Sequence, residues 1–322
     1  FLSRLEFLIF YFVFLINEVF INRKILNKNF MIKLSLFPFL IIFYIIINLH
    51  FYDIPFPESG IAKSLVNNIR FNKETFTFLS SSGYGMKFIS TIFYFNCVGI
   101  FFLFSKKIQN FTKISLLTTL LFFISNSLRS AWPLWTWHFF FLGISSSVLF
   151  VDLVKLFIFK LIRYTTPLVG IFFVIAYFFL FVKNYNVSND HILNIAHKIE
   201  NHYADSAHEI FAMGDMAGKV SYLLDKKLIQ LEGLVGGKKV LRKIQNQEKL
   251  CNLFNEFNVD IYLTTRINKV GELYYIEEPG QRSANVKKMK DILIIKPEKT
   301  FNSADLNVYA FNLKNNKFCF DN

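Results

Sequence analysis

The sequence predicts a polytopic α-helical membrane protein with about six transmembrane helices, followed by a small extracytoplasmic α/β domain. Three observations predict this class: an unusually apolar composition, long apolar runs before residue 183, and a more polar pattern after it. The 322 residues are 53% hydrophobic and only 18% charged, with 42 Phe and a mean hydropathy of +0.36. Soluble domains average about 25% charged residues, so this composition argues against disorder, collagen and an ordinary soluble enzyme. The predicted domains are residues 1–183 and 184–322.

The predicted transmembrane helices are six apolar runs separated by polar or basic segments. A helix needs about 20 mostly apolar residues to cross a hydrocarbon core about 30 Å thick. The last run starts favourably, because Thr165 and Thr166 can cap a helix and Pro167 suits its first turn. The six runs are Leu5–Ile21, Leu34–His50, Phe88–Ser105, Ile114–Leu128, Trp137–Phe159 and Pro167–Val182.

The basic residues predict how these helices are oriented. Residues 1–183 contain 17 Lys and Arg against 6 Asp and Glu, whereas residues 184–322 contain 19 against 17. Lys and Arg concentrate in the loops 23–33, 106–113 and 160–163, which the positive-inside rule places in the cytoplasm. The alternate loops and the C-terminal domain are then expected on the periplasmic side of the plasma (inner) membrane. Because these charges separate apolar runs and form no basic face, we expect no nucleic-acid partner.

After Lys183 short apolar runs alternate with helical patterns, which predicts a small α/β sheet domain. An amphipathic helix is predicted over Asn189–His202 from the spacing of its isoleucines. Further helices are predicted at Gly218–Leu224 and within Lys238–Phe257. The predicted strands are Ile210–Met213, Leu228–Leu231, Val259–Leu263, Leu273–Ile276, Ile292–Ile295 and Val308–Leu313.

The three cysteines, Cys97, Cys251 and Cys319, lack the spacing of a metal or redox motif. In an oxidising compartment Cys251 and Cys319 could form a disulfide, and in a reducing one they would stay apart. The histidines between residues 191 and 208 also lack a ligand spacing such as HExxH, so no cofactor is evident. The chain begins with Phe1 inside an apolar run, and we expect it to be a fragment without its N-terminal part.

The segment FYDIPFPESGIAK is the first candidate site for a substrate. Pro55 and Pro57 restrict the backbone around it, and a stiff polar loop at a membrane surface suits a substrate with a charged head and a lipid tail. A carboxylate here could act as general base and a lysine could contact phosphate. The alternative is an ordinary solvated loop. The candidate residues are Tyr52, Asp53, Glu58 and Lys63.

The second candidate is Arg129 with the WPLWTWH segment that follows it, which contains all three tryptophans of the chain. Trp rings could stack on a sugar or prenyl group while Arg129 and His138 contact phosphate. Trp also favours the headgroup level of a bilayer, so an aromatic belt is the alternative. The candidate substrate-binding residues are Arg129, Trp132, Trp135 and His138.

The third candidate is the run AMGDMAGKVSYLLDKKLIQLEGLVGG, in which Asp215 follows a predicted strand and precedes a predicted helix. Asp215 is either a binding residue or a helix cap. The run lacks GxGxxG and GxxxxGK[ST], so a nucleotide loop is not indicated.

Two of these runs resemble motifs of a known family. A loop of the form YYGxxLPNTxxAK is matched in outline by Tyr52, Asp53, Pro55, Pro57, Ser59, Ala62 and Lys63. A run of the form DxGAxGYxxxxxVIDLxGL is matched by Asp215, Ala217, Gly218, Tyr222, Ile229, Glu232, Gly233 and Leu234. Both are typical of the GT-C class of polytopic glycosyltransferases, and the chain is most similar to the terminal β-arabinofuranosyltransferase-like group.

The resemblance implies an inverting sugar transfer from a polyprenyl-phosphate donor to a cell-envelope glycan or lipid acceptor. A carboxylate would take the acceptor's proton while polyprenyl phosphate leaves, helped by basic residues or by a divalent metal. The chain departs from the family at Glu58, where Asn is expected, and at Gln230, where an acid is expected. The family's catalytic carboxylate lies in an earlier outer loop, which we expect to be missing from this fragment. The catalytic residue is therefore unknown, and the enzymatic activity of this piece stays open.

Two other functions fit the same composition. One is a transporter or flippase-like membrane protein, although Glu18 and Asp152 lie near the ends of predicted helices and not at mid-membrane. The other is a non-catalytic membrane anchor that presents the α/β domain to a partner.

Overall fold

The computed structural model describes residues 6–18, 28–56, 58–64, 71–80, 84–129, 132, 134, 136–157, 175, 191–280, 286–304, 306–314 and 318–320. The chain divides into two units. The first, here called the helical unit, comprises Phe1–Ile47 and Ile69–Val182. The second, the α/β unit, comprises Asn48–Asn68 and Lys183–Asn322, so a short segment from the apolar half folds with the C-terminal half.

Six helices precede the first strand in the described part of residues 1–157, together with two 3₁₀ turns at Lys73–Leu79 and Thr136–Phe139. The 3₁₀ turn at Lys73 begins where the side chain of Asn72 accepts a hydrogen bond from the Glu74 amide at 3.0 Å, as a helix cap does. The helices are α1 (Glu6–Ile16), α2 (Lys28–Tyr52), α3 (Glu58–Ser64), α4 (Tyr84–Ile100), α5 (Asn110–Arg129) and α6 (Phe140–Phe157).

The prediction of about six transmembrane helices is wrong for this structure. Among the described residues, one helix, Asn110–Leu128, is long and apolar enough to cross a membrane, and half of it is buried inside the protein. The apolar stretches Pro38–Phe51 and Met86–Ile100 are shorter. The run Phe88–Ser105 ends early because Phe101 and Phe102 close turns onto Val98 and Gly99. The run Pro167–Val182 lies outside the described residues except for Ile175.

Much of the apolar sequence forms a core between helices. Buried phenylalanines from the first 3₁₀ turn, α5 and the second 3₁₀ turn pack against one another. Phe78 meets Phe139 edge to face, with ring centroids 4.8 Å apart. Hydropathy alone cannot distinguish such a core helix from one that faces lipid, because both are apolar. The core cluster comprises Phe78, Ile89, Phe122, Phe123, Leu134, Phe139 and Leu142.

A buried polar cluster joins α4, α5 and α6. The Asn96 amide donates to the Ile92 carbonyl at 2.9 Å and to the Ser146 hydroxyl, and the Ser145 hydroxyl donates to the Asn96 carbonyl oxygen. The Thr119 hydroxyl donates to Ser145 at 3.1 Å. Buried polar groups that satisfy one another in this way fix the register of neighbouring helices.

The α/β unit contains a five-stranded sheet of order β2-β1-β3-β8-β7, in which β2, β1 and β3 are parallel and β8 and β7 are antiparallel. A second sheet, β4-β5-β6, is antiparallel. The strands are β1 (Ile210–Met213), β2 (Lys227–Gln230), β3 (Ile261–Thr264), β4 (Asn268–Val270), β5 (Leu273–Glu278), β6 (Met289–Leu293), β7 (Lys299–Ser303) and β8 (Leu306–Asn312).

Helices cover both faces of the larger sheet. Helical residues 191–203 (α7) and α8 (Ala217–Leu223) pack on one face, where Ile195 and Ile199 are fully buried, as their spacing predicts. Helices α9 (Gly237–Asn246) and α10 (Leu250–Glu256) lie in the other core with the second sheet. They replace the single predicted helical run, because Gln247 takes a left-handed conformation with φ 54° and ends α9.

The disulfide that the sequence left open is formed between Cys251 on α10 and Cys319 near the end of the chain. Its two cysteines are 68 residues apart in the sequence. Because Cys319 also forms a β-bridge with Leu293 of β6, the disulfide joins α10 to a residue that pairs with the second sheet.

Candidate functional site

Three carboxylates gather where strands of the α/β unit end, and we call Asp215, Glu232 and Glu278 the acidic edge. Asp215 follows β1, Glu232 follows β2, and Glu278 is the last residue of β5. The strands β1 and β2 are parallel, so their carboxyl ends meet at one edge of the sheet. In open α/β sheets ligands bind preferentially at this edge.

Glu278 is the best-defined member of the acidic edge. Its side chain is buried, at 2% exposure. The Tyr262 hydroxyl donates to Oε1 at 2.9 Å, and the Gly280 amide donates to Oε2 at 3.1 Å. Burial raises the pKa of Glu278 to about 8, and the charges of Glu232 and Asp215 act in the same direction. Glu278 is therefore mostly protonated at pH 7, beside two carboxyl groups that repel its charged form.

Tyr262 is the hydrogen-bond donor that holds Glu278 in place. It lies on the central strand β3 and is fully buried. Burial raises the pKa of Tyr262 well above its ordinary value, and the nearby Glu278 acts in the same direction. The phenol therefore keeps its proton and remains a donor throughout the physiological pH range.

The backbone after β1 leaves no room beside Glu278. A Cβ atom on Gly214 would collide with the Glu278 carboxyl group, so any side chain at this position would force Glu278 to move. This close approach brings the turn that carries Asp215 against Glu278.

Gln230 shapes the loop that carries Glu232. Its Nε2 donates to Glu232 Oε2 at 3.0 Å, while its Oε1 accepts from the amides of Leu234 at 3.0 Å and Val235 at 3.3 Å. An ionised carboxylate at this position could accept hydrogen bonds from the amides of Leu234 and Val235 but could not donate one to Glu232. Gln230 thus has a local structural role in this chain.

The segment of the first candidate site folds against the same part of the α/β unit. Helix α2 ends before Asp53, which takes a left-handed φ of 56° and bonds back to the Leu49 carbonyl at 3.2 Å. Asp53 then pairs with Lys238 at 3.1 Å, and Glu58 Oε2 accepts from the Gly237 amide at 3.0 Å. Two of the predicted residues therefore lie at the start of α9, which follows the loop of Glu232.

The remaining predicted residues are placed as follows. Lys63 is half-buried on α3, and Tyr52 is the last residue of α2. Arg129 ends α5, Trp132 is buried at 4% exposure, and His138 is half-buried in the second 3₁₀ turn, all in the helical unit. Trp135 lies outside the described residues.

Sequence reasoning missed Glu278 as a site residue, although the strand pattern contains a signal for it. Alternate residues of β5, Tyr274 and Ile276, are buried, and the period of two places Glu278 on the same buried face. A carboxyl group at such a position must be protonated or partnered, which marks it as a candidate functional residue.

Among the described residues, one close group has three metal-type ligands, namely Cys251, Asp291 and Cys319. Its two sulfur atoms form the disulfide, so the group is no evidence of a metal site. The Asp291 carboxylate instead accepts from the Cys251 amide at 3.0 Å.

The protonation of Glu278 predicts a specific pH dependence of stability. A glutamate in the unfolded chain has a pKa of about 4.3, so between roughly pH 4.5 and pH 8 the folded state binds more protons than the unfolded state. The contribution of Glu278 to the free energy of unfolding should therefore be highest below this window, fall as the pH rises through it, and level off above pH 8. The Glu278→Gln variant should lose this component, which at about 1.4 kcal/mol per pKa unit amounts to roughly 5 kcal/mol across the whole window.

Urea unfolding of both proteins between pH 5 and pH 9 measures the difference. Relative to wild type, the variant should gain stability as the pH rises. Parallel curves for the two proteins would contradict the assignment of a neutral Glu278.

The acidic edge is therefore a defined, partly buried site, where the carboxyl ends of the parallel strands β1 and β2 meet the end of the antiparallel strand β5. It contains one neutral and two further carboxyl groups. Its chemistry suits hydrogen bonding to hydroxyl groups and proton transfer. The chain has no significant match to any protein-family model, curated protein or solved structure.

Proposed function

We propose that this chain takes part in sugar transfer from a polyprenyl-phosphate donor to a glycan or lipid acceptor of the cell envelope. In this proposal the acidic edge binds hydroxyl groups of a sugar. The observation that carries it is the convergence of Asp215, Glu232 and Glu278, of which the first two belong to the run that resembles the glycosyltransferase motif.

The chemistry of the edge fits a polyhydroxylated ligand. Ionised carboxylates accept hydrogen bonds from sugar hydroxyls, and a hydroxyl held in this way can lose its proton to the carboxylate during transfer. Asp215 is the more exposed carboxyl group, whereas Glu232 is 7% exposed and Glu278 is 2% exposed. We therefore assign the first contact with the sugar to Asp215, with Glu232 and Glu278 setting its charge environment.

Two features support an extracytoplasmic location and a lipid bilayer as a partner. Disulfides such as Cys251–Cys319 persist in oxidising compartments, which favours the outer face of the plasma membrane. Helix α2 also presents Phe39, Ile42 and Phe43 with more than half of each side chain exposed, a surface that suits lipid contact. We therefore propose that the protein contacts a bilayer, and this contact does not depend on the six predicted transmembrane helices.

Substitution at the edge tests the proposal. The full chain is incubated with radiolabelled polyprenyl-phosphate sugars and an envelope glycan acceptor, and saccharide binding is measured in parallel by calorimetry. Asp215→Asn and Glu232→Gln should each weaken binding and transfer by about 10- to 100-fold, because a charged hydrogen bond contributes about 1.5–3 kcal/mol.

The matched control is Glu272→Gln, an exposed glutamate that pairs with Lys296 at 3.4 Å and should change neither quantity. Wild-type protein that neither binds saccharides nor transfers sugar would refute the proposal.

One observation favours a second function, a saccharide-binding module without catalysis. Two of the three carboxyl groups are almost fully buried, which suits ligand binding more than repeated proton exchange with solvent. Saccharide binding that depends on Asp215, with no transfer to any acceptor, would select this function.

A further inference from the structure

The loop 231–237, here called the glycine loop, carries Glu232 between β2 and α9. It contains three glycines, and Gly233 has a left-handed φ of 73°, so the loop has little backbone stiffness of its own. Its shape therefore depends on the side chains that accept hydrogen bonds from its amides. Gln230 holds Leu234 and Val235 from inside the unit.

Glu58 holds the end of the glycine loop from a distant part of the sequence. Its Oε2 accepts from the Gly237 amide at 3.0 Å across a separation of 179 residues. Gly237 is the first residue of α9, and Gly236, which precedes the helix, has no side chain to cap it. The first amides of a helix lack partners within the helix, and a negative charge stabilises this end. Glu58 therefore supplies the missing acceptor.

The rest of α3 is anchored so that Glu58 is held in place. Ala62 is 4% exposed and belongs to the core that also contains Leu241 and Ile244 of α9. A Cβ atom on Gly233 would lie 3.5 Å from the Ala62 Cβ, so α3 packs directly on the glycine loop. The neighbouring Asp53–Lys238 pair is different, because the Asp53 side chain is 73% exposed and such pairs contribute little.

We infer that Glu58 is a positioning residue of the acidic edge. By fixing the glycine loop between α3 and Gln230, it keeps the Glu232 carboxylate near Glu278. The sequence predicts a substrate contact for Glu58, and the geometry assigns it this indirect role. The role in holding the loop is independent of the ligand, whereas its consequence for sugar binding rests on the proposed function.

Hydrogen exchange of the full chain tests the inference directly. In Glu58→Ala the amide of Gly237 should exchange about 5- to 20-fold faster, because its hydrogen-bond acceptor is lost, and the amides of Leu234 and Val235 should follow. The amides of β1 and β3 should be unchanged. In Glu58→Gln the amide oxygen still accepts, so exchange should stay within about twofold of wild type. Glu272→Ala is the control for a lost surface carboxylate.

A second readout separates positioning from general loosening. The groups that face Glu278 are Tyr262 on β3, Asp215 after β1 and Glu232 after β2. If Glu232 moves away in Glu58→Ala, its charge no longer raises the pKa of Glu278. The decline in the free energy of unfolding that Glu278 causes should then end at a lower pH than in wild type. Unchanged Gly237 exchange in Glu58→Ala, or equally fast exchange in Glu58→Gln and Glu58→Ala, would overturn the inference.

The sugar assay then distinguishes the two proposals. Glu58→Ala should raise the dissociation constant or KM for the saccharide about 5- to 20-fold while leaving kcat within about twofold. If the exchange and pH readouts change as expected but wild type binds no saccharide, the positioning role stands and the proposed function fails.

Discussion

Replacing Gly214 with alanine is expected to destabilise the α/β unit by about 3 kcal/mol. The new Cβ would occupy the place of the Glu278 carboxyl group, which is itself held by Tyr262 and Gly280. Glu278 must then leave, so two buried hydrogen bonds are lost in addition to the overpacking cost of about 1–3 kcal/mol. Urea unfolding followed by hydrogen exchange of peptides covering β1 and β3 measures the change in this unit.

Gly218→Ala is the matched control for this variant. Gly218 lies on α8 and has no neighbouring atom within 4 Å of an added Cβ. Its replacement by alanine should leave the free energy of unfolding unchanged or raise it by up to about 1 kcal/mol. The double variant Gly214→Ala/Glu278→Ala removes the collision. It should be at least about 1 kcal/mol more stable than the sum of the single changes predicts. Strict additivity would show that the two groups do not compete for the same space.

Loss of the disulfide is expected to lower the stability of the α/β unit by about 2–4 kcal/mol. The two cysteines are 68 residues apart in the sequence. Closing so long a loop removes much conformational entropy from the unfolded chain. In Cys251→Ala/Cys319→Ala the urea midpoint should fall by about 1–2 M, with a slope typical of small domains. A reducing agent should have a similar effect on wild type and none on the double variant.

The free cysteine provides the control for this experiment. Cys97 lies in the helical unit, so Cys97→Ala should retain the response to reductant. A double variant that unfolds at the wild-type urea concentration would contradict a stabilising disulfide.

Local patterns predicted most of the α/β unit because its elements are short and regular. The strand at Ile210–Met213 has the predicted bounds, and Lys227–Gln230 differs from its prediction by one residue. The division of the predicted helix at Gln247 was not predictable, because a left-handed glutamine has no sequence signal comparable to glycine. Pairing between distant strands, such as β3 with β8, also leaves no local signature.

The helical unit was predicted less well because hydropathy measures composition and not surroundings. The run Phe88–Ser105 was assigned to a membrane span, yet its helix ends at Ile100, and Ile89 packs in the core with Phe78 and Phe139. Chain reversal after Ile100 likewise depends on tertiary packing that an apolar window does not detect.

The candidate site was predicted in part. Asp215 was identified from its place after a strand, and Asp53 and Glu58 from a polar, proline-containing segment. Their partners could not be predicted, since Lys238 and Gly237 lie more than a hundred residues away in the sequence. To predict Glu278 as a site residue, one must know which face of β5 is buried. The only signal in the sequence is that Glu278 alternates with the apolar residues Tyr274 and Ile276.

The α/β unit is assembled from two separate stretches of the polypeptide, and this affects how the protein can be dissected. A recombinant piece starting at residue 184 would lack Ala62 from its core and Glu58 from the start of α9. Its hydrophobic interior would be open on that side, and the isolated piece would be prone to aggregate. A domain boundary drawn from hydropathy would thus cut through one compact unit, and residues 48–68 belong in any fragment meant to report on it.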